Sequence, residues 1–565
     1  MNREQLKQKP FYLSEEEVVW VESTLADMTV EEKLGQIFCA NIREGSREEI
    51  EGLMDLIPLG AVMYRPLPVE NAINLTNYLK KSKIPMLIAA DLERGGNGVL
   101  ENGTKFCAQM EIAATGNEKH AERLAEVCGR EGAAVGVNWS FAPVVDIDMN
   151  YRNPMTNVRT YGDDAERVAR MGTVYMKKIQ SMGIAASVKH FPGDGVDERD
   201  HHLVTTVNTL DKEKWDETYG KVYQKCIDEG AMTIMAGHIM LPSYSRYFCP
   251  DIRDDDILPC TLSKELMQNL LREQMGFNGL IVTDASTMSG FTIPMKREDA
   301  VPTTIAAGAD MFLFSRNMKE DVGFMKKGLE RGLITQERLD DAVTRILALK
   351  AALKLYKEPK KYTVEEAEKE IGRPEYHQWA KECADQAVTL VKEEKGVLPV
   401  TPEKYKRLMF FPLEGTVKGF GAPSGVCDKF RRMLEDEGFE VTQFNPEKAA
   451  EGRIAPMSDF IGVYDVMVYF ACIPTVSNRT TVRIEWASPF GANCPHFVTA
   501  IPTIFISVEN PYHLQDVPRV RTFINAYSSN DEVLEAVLEK LTGRSAFEGT
   551  SPVDAFCGRW DTHLM

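Results

Sequence analysis

No Cys-x-x-Cys spacing occurs in this 565-residue chain, although it carries 11 cysteines. The odd count and the wide scatter exclude a disulfide framework and the usual zinc spacings. Cys39 and Cys472 fall inside apolar runs, so the expectation is reduced, buried thiols in a cytoplasmic protein. Long hydrophobic runs are also missing. None approaches the ~18 apolar residues of a membrane span. The opening MNREQLKQKPFYLSEEE has no apolar stretch of the secretory type. Positive charge is in short supply: 66 Lys and Arg stand against 84 Asp and Glu, a net −18. That balance offers no footprint for a phosphate backbone and excludes nucleic acid as a partner. Otherwise it bears on solubility.

What is present is an ordinary globular composition, 44% hydrophobic and 27% charged, at a length that calls for two to four domains. Residues 1–354 hold eight short apolar runs: Gly35–Ala40, Gly60–Tyr64, Met86–Ala90, Val137–Ile147, Ala185–His190, Thr233–Met240, Gly279–Thr283 and Asp310–Phe314. Stretches of helical period, such as Lys119–Ala134 and Ala165–Ile179, lie between most of them. Thr29-Val30-Glu31-Glu32 is a capping box that opens a helix ahead of the first strand. Eight strands alternating with helices over ~320 residues predict an N-terminal (β/α)8 TIM-like barrel, with an open doubly wound sheet as the alternative. Residues 355–378 are charged and contain Pro, and read as a linker with a short helix. Residues 379–565 alternate again. Ala387–Val391, Arg407–Phe411, Phe439–Phe444, Val466–Phe470, Pro502–Ser507 and Thr522–Ala526 are strand-like, and Val426–Glu437 and Glu532–Leu541 are helical. A smaller α/β three-layer sandwich domain is expected there.

In such a barrel the functional groups gather at the C-terminal ends of the strands. Asp91-Leu92-Glu93-Arg94 follows the third run, and Asp146 the fourth, with Arg152 and Arg159 beyond it. Lys189-His190 closes the fifth run, His238 follows the sixth, and Thr283-Asp284 ends the seventh. The densest stretch is Lys189-His190-Phe191-Pro192-Gly193-Asp194-Gly195, followed by Asp200-His201-His202. A loop broken by Gly and Pro, with an acid two positions before a histidine, suits proton transfer and is expected to be mobile. Retaining glycoside cleavage needs a carboxylate nucleophile and a second group that first gives and then takes a proton. Asp284 suits the first task, and an Asp there equally suits a helix N-cap. A histidine titrating near neutrality suits the second. Asp200 is placed to bond one ring nitrogen of His202 and present the other. Lys189 needs an acceptor, such as a sugar hydroxyl. His238 reads as a ligand contact or as a satisfied core histidine. Asp194, Asp197, Asp200, His201 and His202 are all metal-competent, which is a further reading.

Several segments together resemble glycoside hydrolase family 3. They are Met28-Thr29-Val30-Glu31-Glu32-Lys33-Leu34-Gly35-Gln36, Asn138-Trp139-Ser140-Phe141-Ala142-Pro143-Val144-Val145-Asp146, Arg159-Thr160-Tyr161-Gly162 and Gly279-Leu280-Ile281-Val282-Thr283-Asp284-Ala285. Lys189-His190-Phe191-Pro192-Gly193 is the most specific of the resemblances. Asp200-His201-His202 is similar to the Asp-x-His mark of NagZ-type β-N-acetylglucosaminidases. Ala387-Val388-Thr389-Leu390-Val391-Lys392 and Asn510-Pro511-Tyr512 resemble the second domain of two-domain members.

The resemblance implies Asp284 as nucleophile, His202 as acid/base and Asp200 as its partner. It puts Asp91, Arg159, Lys189 and His190 around the terminal sugar, with His238 as a further contact. No metal and no organic cofactor is implied. The implied activity is that of a retaining exo-β-N-acetylglucosaminidase that removes terminal GlcNAc from muropeptide or chitin-type oligosaccharides in cytoplasmic cell-wall recycling. A small carbohydrate is the implied partner. A β-N-acetylglucosaminide phosphorylase is the alternative, since a neutral histidine admits phosphate where a carboxylate repels it. A family 3 β-glucosidase is disfavoured by Asp-x-His. The doubled histidine leaves His201 as the other register. The third-strand segment departs from the family's frequent Asp-x-Glu-Gly-Gly-Arg and reads Asp91-Leu92-Glu93-Arg94-Gly95-Gly96-Asn97.

Overall fold

The computed structural model describes every residue except 358–359, 416–424, 446–455 and 489–490. The chain forms two compact units. The first takes Met1–Phe106, Ala121–Ile147 and Ala165–Tyr376, and the second takes Cys107–His120, Asp148–Asp164 and His377–Met565. The later boundary falls inside the charged segment 355–378, whose short helix is Val364–Glu368. The stretches 107–120 and 148–164 lie within 1–354 in sequence and belong to the second unit in space.

Among the described residues the first unit holds a parallel sheet of seven strands in sequential order. They are β1 (Cys39–Ile42), β2 (Ala61–Tyr64), β3 (Leu87–Ala90), β4 (Trp139–Ser140), β5 (Ala185–Phe191), β6 (Thr233–Ala236) and β7 (Leu280–Thr283). Met311 and Phe312 fill an eighth place through parallel bridges to Val282 and Phe38. Cys39 N donates to Phe312 O at 3.0 Å, and Phe312 N donates to Ile37 O at 2.7 Å. The sheet thereby closes on itself as an α/β barrel. Its strands are buried along their length, as parallel strands under helices must be, which is why they read as unbroken apolar runs.

The sixth run, expected over Thr233–Met240, divides into β6 and a separate short strand Ile239–Met240, and β1 and β4 differ from their expected bounds for local reasons. Thr29 Oγ1 accepts from Glu32 N, and Glu32 Oε2 accepts from Thr29 N at 2.8 Å. This reciprocal cap holds the helix Val30–Gln36, so Gly35 and Gln36 are helical and β1 starts at Cys39. Pro143 has no N–H to give a ladder. β4 is therefore brief, and the chain rejoins β5 through Val145 N donating to Lys189 O at 2.9 Å.

The second unit is built on a second sheet with β8 (Thr389–Lys392), β9 (Arg407–Glu414), β10 (Glu440–Gln443), β11 (Val466–Cys472), β12 (Thr503–Val508) and β13 (Thr522–Ala526). Their order is β8-β13-β12-β11-β9-β10, parallel except for β8 against β13. Alternate side chains feed two cores. Phe410, Val468 and Ile504 pack with Phe430 and Leu434 of the helix Val426–Asp436 on one face. Met409, Tyr469, Phe505 and Phe523 form the other core. Tyr512 donates to Asp148 Oδ2 at 2.5 Å, and Ala108 N donates to Ser528 Oγ at 3.0 Å, which ties the two early stretches to this sheet. No helix among the described residues is long and apolar enough to cross a membrane.

At the start of the eighth barrel run Asp310 is fully buried. It accepts from Ile281 N at 2.8 Å and pairs with Arg272 and, at 2.5 Å, with Arg338. Burial pulls the Arg272 guanidinium down to about 9, and repulsion from Arg345 adds to the fall. Removing the shared anion takes the nearly buried Arg272 away from its carboxylate and leaves Arg338 with Asp341 alone, and breaking a buried pair in this way costs on the order of 3–5 kcal/mol. Asp310→Ala is expected to lower the unfolding free energy from urea titration by that amount, and an unchanged midpoint contradicts this account.

Candidate active site

The site grows from the end of β5. Asp146, buried 44 residues upstream, accepts from His190 Nδ1 at 2.7 Å, from His190 N at 3.1 Å and from Asp194 N at 2.8 Å. Burial works against this carboxylate's charge, but His190 and the two amides hold its pKa below the ordinary value. The bond to Nδ1 fixes the His190 ring and leaves Nε2 as its free nitrogen. Lys189, also buried, places Nζ 2.7 Å from Glu93 Oε1 and 3.5 Å from Asp91 Oδ1. Asp91 Oδ2 in turn accepts from Arg65 at 3.0 Å. The end of β3 and the end of β5 are thus joined by a charge chain.

The loop after β5 turns through Gly193, whose φ is +115°. A Cβ there would stand 2.1 Å from Tyr219 Cδ1, so both conformation and space demand glycine. The first half of the loop is moored rather than mobile. Trp215 Nε1 donates to Pro192 O at 2.8 Å, Asn208 Nδ2 to Gly193 O at 3.1 Å, and Tyr219 OH to Asp194 O at 2.6 Å.

At the far end of the loop the two histidines take different roles. His202 Nδ1 donates to Asp200 Oδ1 at 2.7 Å, and His202 N donates to the same oxygen at 2.8 Å. The two-residue spacing is what lets one carboxylate take both. The His202 side chain is 27% exposed. Burial lowers its pKa and the neighbouring His201 charge adds to this, while Asp200 opposes; His202 is therefore neutral at pH 7. His201 is 1% exposed, with Nδ1 2.9 Å from Asp194 Oδ2 and Nε2 3.6 Å from Asp284 Oδ2. Burial alone would discharge it. The carboxylates of Asp194 and Asp284 outweigh burial and push it up to about 9, so the ring is an imidazolium at pH 7. It stacks on His202 with centroids 5.0 Å apart.

Asp284 follows β7, with its N–H donating to Ala236 O at 2.8 Å and its Oδ1 accepting from Ala285 N at 2.6 Å. Its side chain is 14% exposed. Burial favours the protonated form, yet the surrounding imidazoles, His190 and His201 foremost, hold its pKa well below the usual carboxylate range. Asp284 is accordingly ionised and has one carboxylate oxygen facing a cation. His238 differs from the expectation of a ligand contact. Its Nδ1 accepts from Thr261 Oγ1 at 2.9 Å, and its Nε2 donates to Ala285 O at 3.0 Å. Burial pulls it down to about 4, so it is a neutral core histidine that steadies the residue after Asp284.

The structure therefore brings together Asp91, Lys189, His190, Asp200, His202 and Asp284 on one barrel rim. Arg159 is a residue of the second unit, where its Nη1 donates to Met155 O at 3.3 Å. Asp146 and Glu93 were not given site roles from sequence, and Asp194 and His201 entered only as metal-competent groups, with His201 also the other register of the acid/base. Asp146 closes an apolar run, which was the available signal for it. Ligand-capable atoms of His190, His201 and Asp284 lie within 4.8 Å of one another. A protonated His201 offers no lone pair to a metal ion.

Residues 29–349 match the family model described as Glycosyl hydrolase family 3 N terminal domain. A Cellulomonas fimi protein named Beta-N-acetylglucosaminidase/beta-glucosidase is 48% identical over 558 residues, 98% of this chain and 99% of that one. Beta-hexosaminidase A of Pseudoalteromonas piscicida is 28% identical over 377 residues, 62% of each chain. The solved structure of Beta-glucoside phosphorylase BglX superposes with a TM-score of 0.93 at 44% identity and covers 100% of both chains.

The His201 charge carries a stability signature. Its folded pKa near 9 lies above the ordinary ~6.5 of an unfolded histidine. The stabilisation is complete below that lower value and is lost as pH rises through about 9. His201→Gln is expected to cost on the order of 2 kcal/mol at pH 6 and almost nothing near ~pH 10, read from urea midpoints at the two pH values. An equal loss at both would show that the ring is neutral.

Proposed function

Because the chain belongs to glycosyl hydrolase family 3, we propose that it is a retaining β-glycosidase for terminal β-N-acetylglucosaminides and β-glucosides, with Asp284 as the nucleophile. One observation carries the reading. An ionised carboxylate, Asp284, and a histidine held by its own carboxylate, His202 on Asp200, sit on the same barrel rim, bridged by His201. Asp284 attacks the anomeric carbon. Protonated His202 gives its Nε2 proton to the leaving oxygen, and a glycosyl ester on Asp284 results. Neutral His202 then takes a proton from the acceptor as the ester is cleaved. His201 offsets the negative charge that returns to Asp284 in this second step. Lys189, Asp91 and His190 hold sugar hydroxyls. Arg159 is assigned to the same sugar by the family resemblance.

The named relatives support both glycones, so β-glucosides stand beside the GlcNAc substrates that Asp-x-His favours. Muropeptide or chitin-type oligosaccharides are the natural GlcNAc sources under this reading, in keeping with a cytoplasmic recycling role.

A second reading has its own support. The acid/base is neutral between turnovers, not a carboxylate. Two like unit charges 4 Å apart repel by about 4 kcal/mol at an effective dielectric of 20, enough to bar phosphate from a carboxylate site. His202 imposes no such barrier, and BglX is named a phosphorylase. Phosphate is thus a competent acceptor in place of water, with a β-linked sugar converted to its 1-phosphate.

Aryl β-glycosides of GlcNAc, Glc, GalNAc and Xyl, assayed with and without phosphate, test both readings. Turnover of GlcNAc and Glc is expected, with sugar 1-phosphate formed if the acceptor is phosphate. Asp284→Asn is expected to lower kcat by about 1,000-fold or more; near-normal turnover removes Asp284 from the role. For alkyl glycosides, whose departure needs the proton, kcat/KM is expected to fall as pH rises through a value below ~6.5. His201→Gln should move that limb upward by removing the charge beside His202. A limb that stays put denies the coupling.

A further inference from the structure

In the second unit two nitrogens of a buried guanidinium have no acceptor among the described residues. Arg479 is 6% exposed, and neither Nε nor Nη2 has a hydrogen-bond partner among the described residues. Burial lowers its pKa, and Glu485 opposes the fall. Buried charges are ordinarily paired and hydrogen-bonded, because leaving water is costly.

The surroundings make room for a ligand. Arg479 lines a cavity of about 220 Å³ whose rim carries the exposed side chains of Asn478, Thr480 and Thr481. Gly415 lies against the guanidinium, and a Cβ there would stand 3.1 Å from Nη2 and 3.4 Å from Nη1. The missing side chain is what leaves the cation its place. The other lining charges are committed elsewhere. Glu414 accepts from Cys427 N at 3.2 Å, and Arg483 is paired with Asp516. Nε and Nη2 form the edge of a guanidinium that takes two oxygens of one carboxylate or phosphate. The volume lies below the ~300 Å³ of ordinary small-molecule sites, which restricts the occupant to a small ion or a sugar-sized acid.

We propose that this cavity is an oxyanion-binding site, in which Arg479 grips a phosphate or carboxylate group and Thr480, Thr481 and Asn478 supply further donors. The site stands whether or not the barrel performs the reaction proposed above.

Isothermal titration of the full chain with inorganic phosphate, and separately with acetate, tests the proposal. Saturable binding at one site per chain is expected, and the anion that binds more tightly gives the class. Arg479→Met is expected to weaken binding at least tenfold. Gly415→Ala should weaken it several-fold by crowding Nη2, with circular dichroism unchanged. If Arg479→Met does not fold, Gly415→Ala decides. The site is overturned if neither anion binds, or if the folded variants bind as tightly as the unchanged chain.

Discussion

A carboxylate as enclosed as Asp284 would take up a proton if burial were the only influence on it. What keeps it ionised is a ring of imidazoles, and the ring works because its members carry different charges. His201 is pressed between two carboxylates and stays protonated. His238 is satisfied by a hydroxyl and a carbonyl and stays neutral. Burial and the charge of His201 lower the pKa of His202 against the pull of Asp200, which leaves it neutral at pH 7. Three histidines within one rim thus become a fixed cation, a strut and a proton carrier. Their chemistry is identical, and only their partners separate them.

Those partners come from the barrel. Asp146 reaches His190 across two neighbouring strands, and Asp194 reaches His201 because Gly193 lets the loop turn against Tyr219. The opposite end of the barrel uses the reverse arrangement. There a single buried carboxylate, Asp310, holds cations together. Stability is concentrated at that end and reactivity at the rim, a division that suits a closed sheet whose strands all run the same way.

How much of this the sequence carried depended on range. The barrel strands and the inner strands of the second sheet were legible because burial on both faces writes an apolar run, and helices between them write a different period. The ends of β1 and β4 were misjudged where a capping box and Pro143 overrode the run. The Asp200–His202 pair was legible because its geometry is confined to three residues. His238 was read as either a ligand contact or a satisfied core histidine, and the choice was not legible, since Thr261 and Ala285 arrive from 23 and 47 residues away. The charge on His201 was hidden for the same reason. The bonds from Trp215, Asn208 and Tyr219 to the carbonyls of Pro192, Gly193 and Asp194 come from outside the β5 loop and were likewise not legible in it.

The contrast between a three-residue turn and a whole barrel has a bearing on how such an enzyme can change. Asp200 and His202 form a module: the anchoring oxygen, the amide it binds and the ring it orients all lie within one turn of chain. Asp284 enjoys no such independence, since its ionisation draws on side chains from several parts of the barrel. A change at Asp200 and His202 is thus confined to one turn of chain, whereas a change in the charge of Asp284 involves the barrel around it.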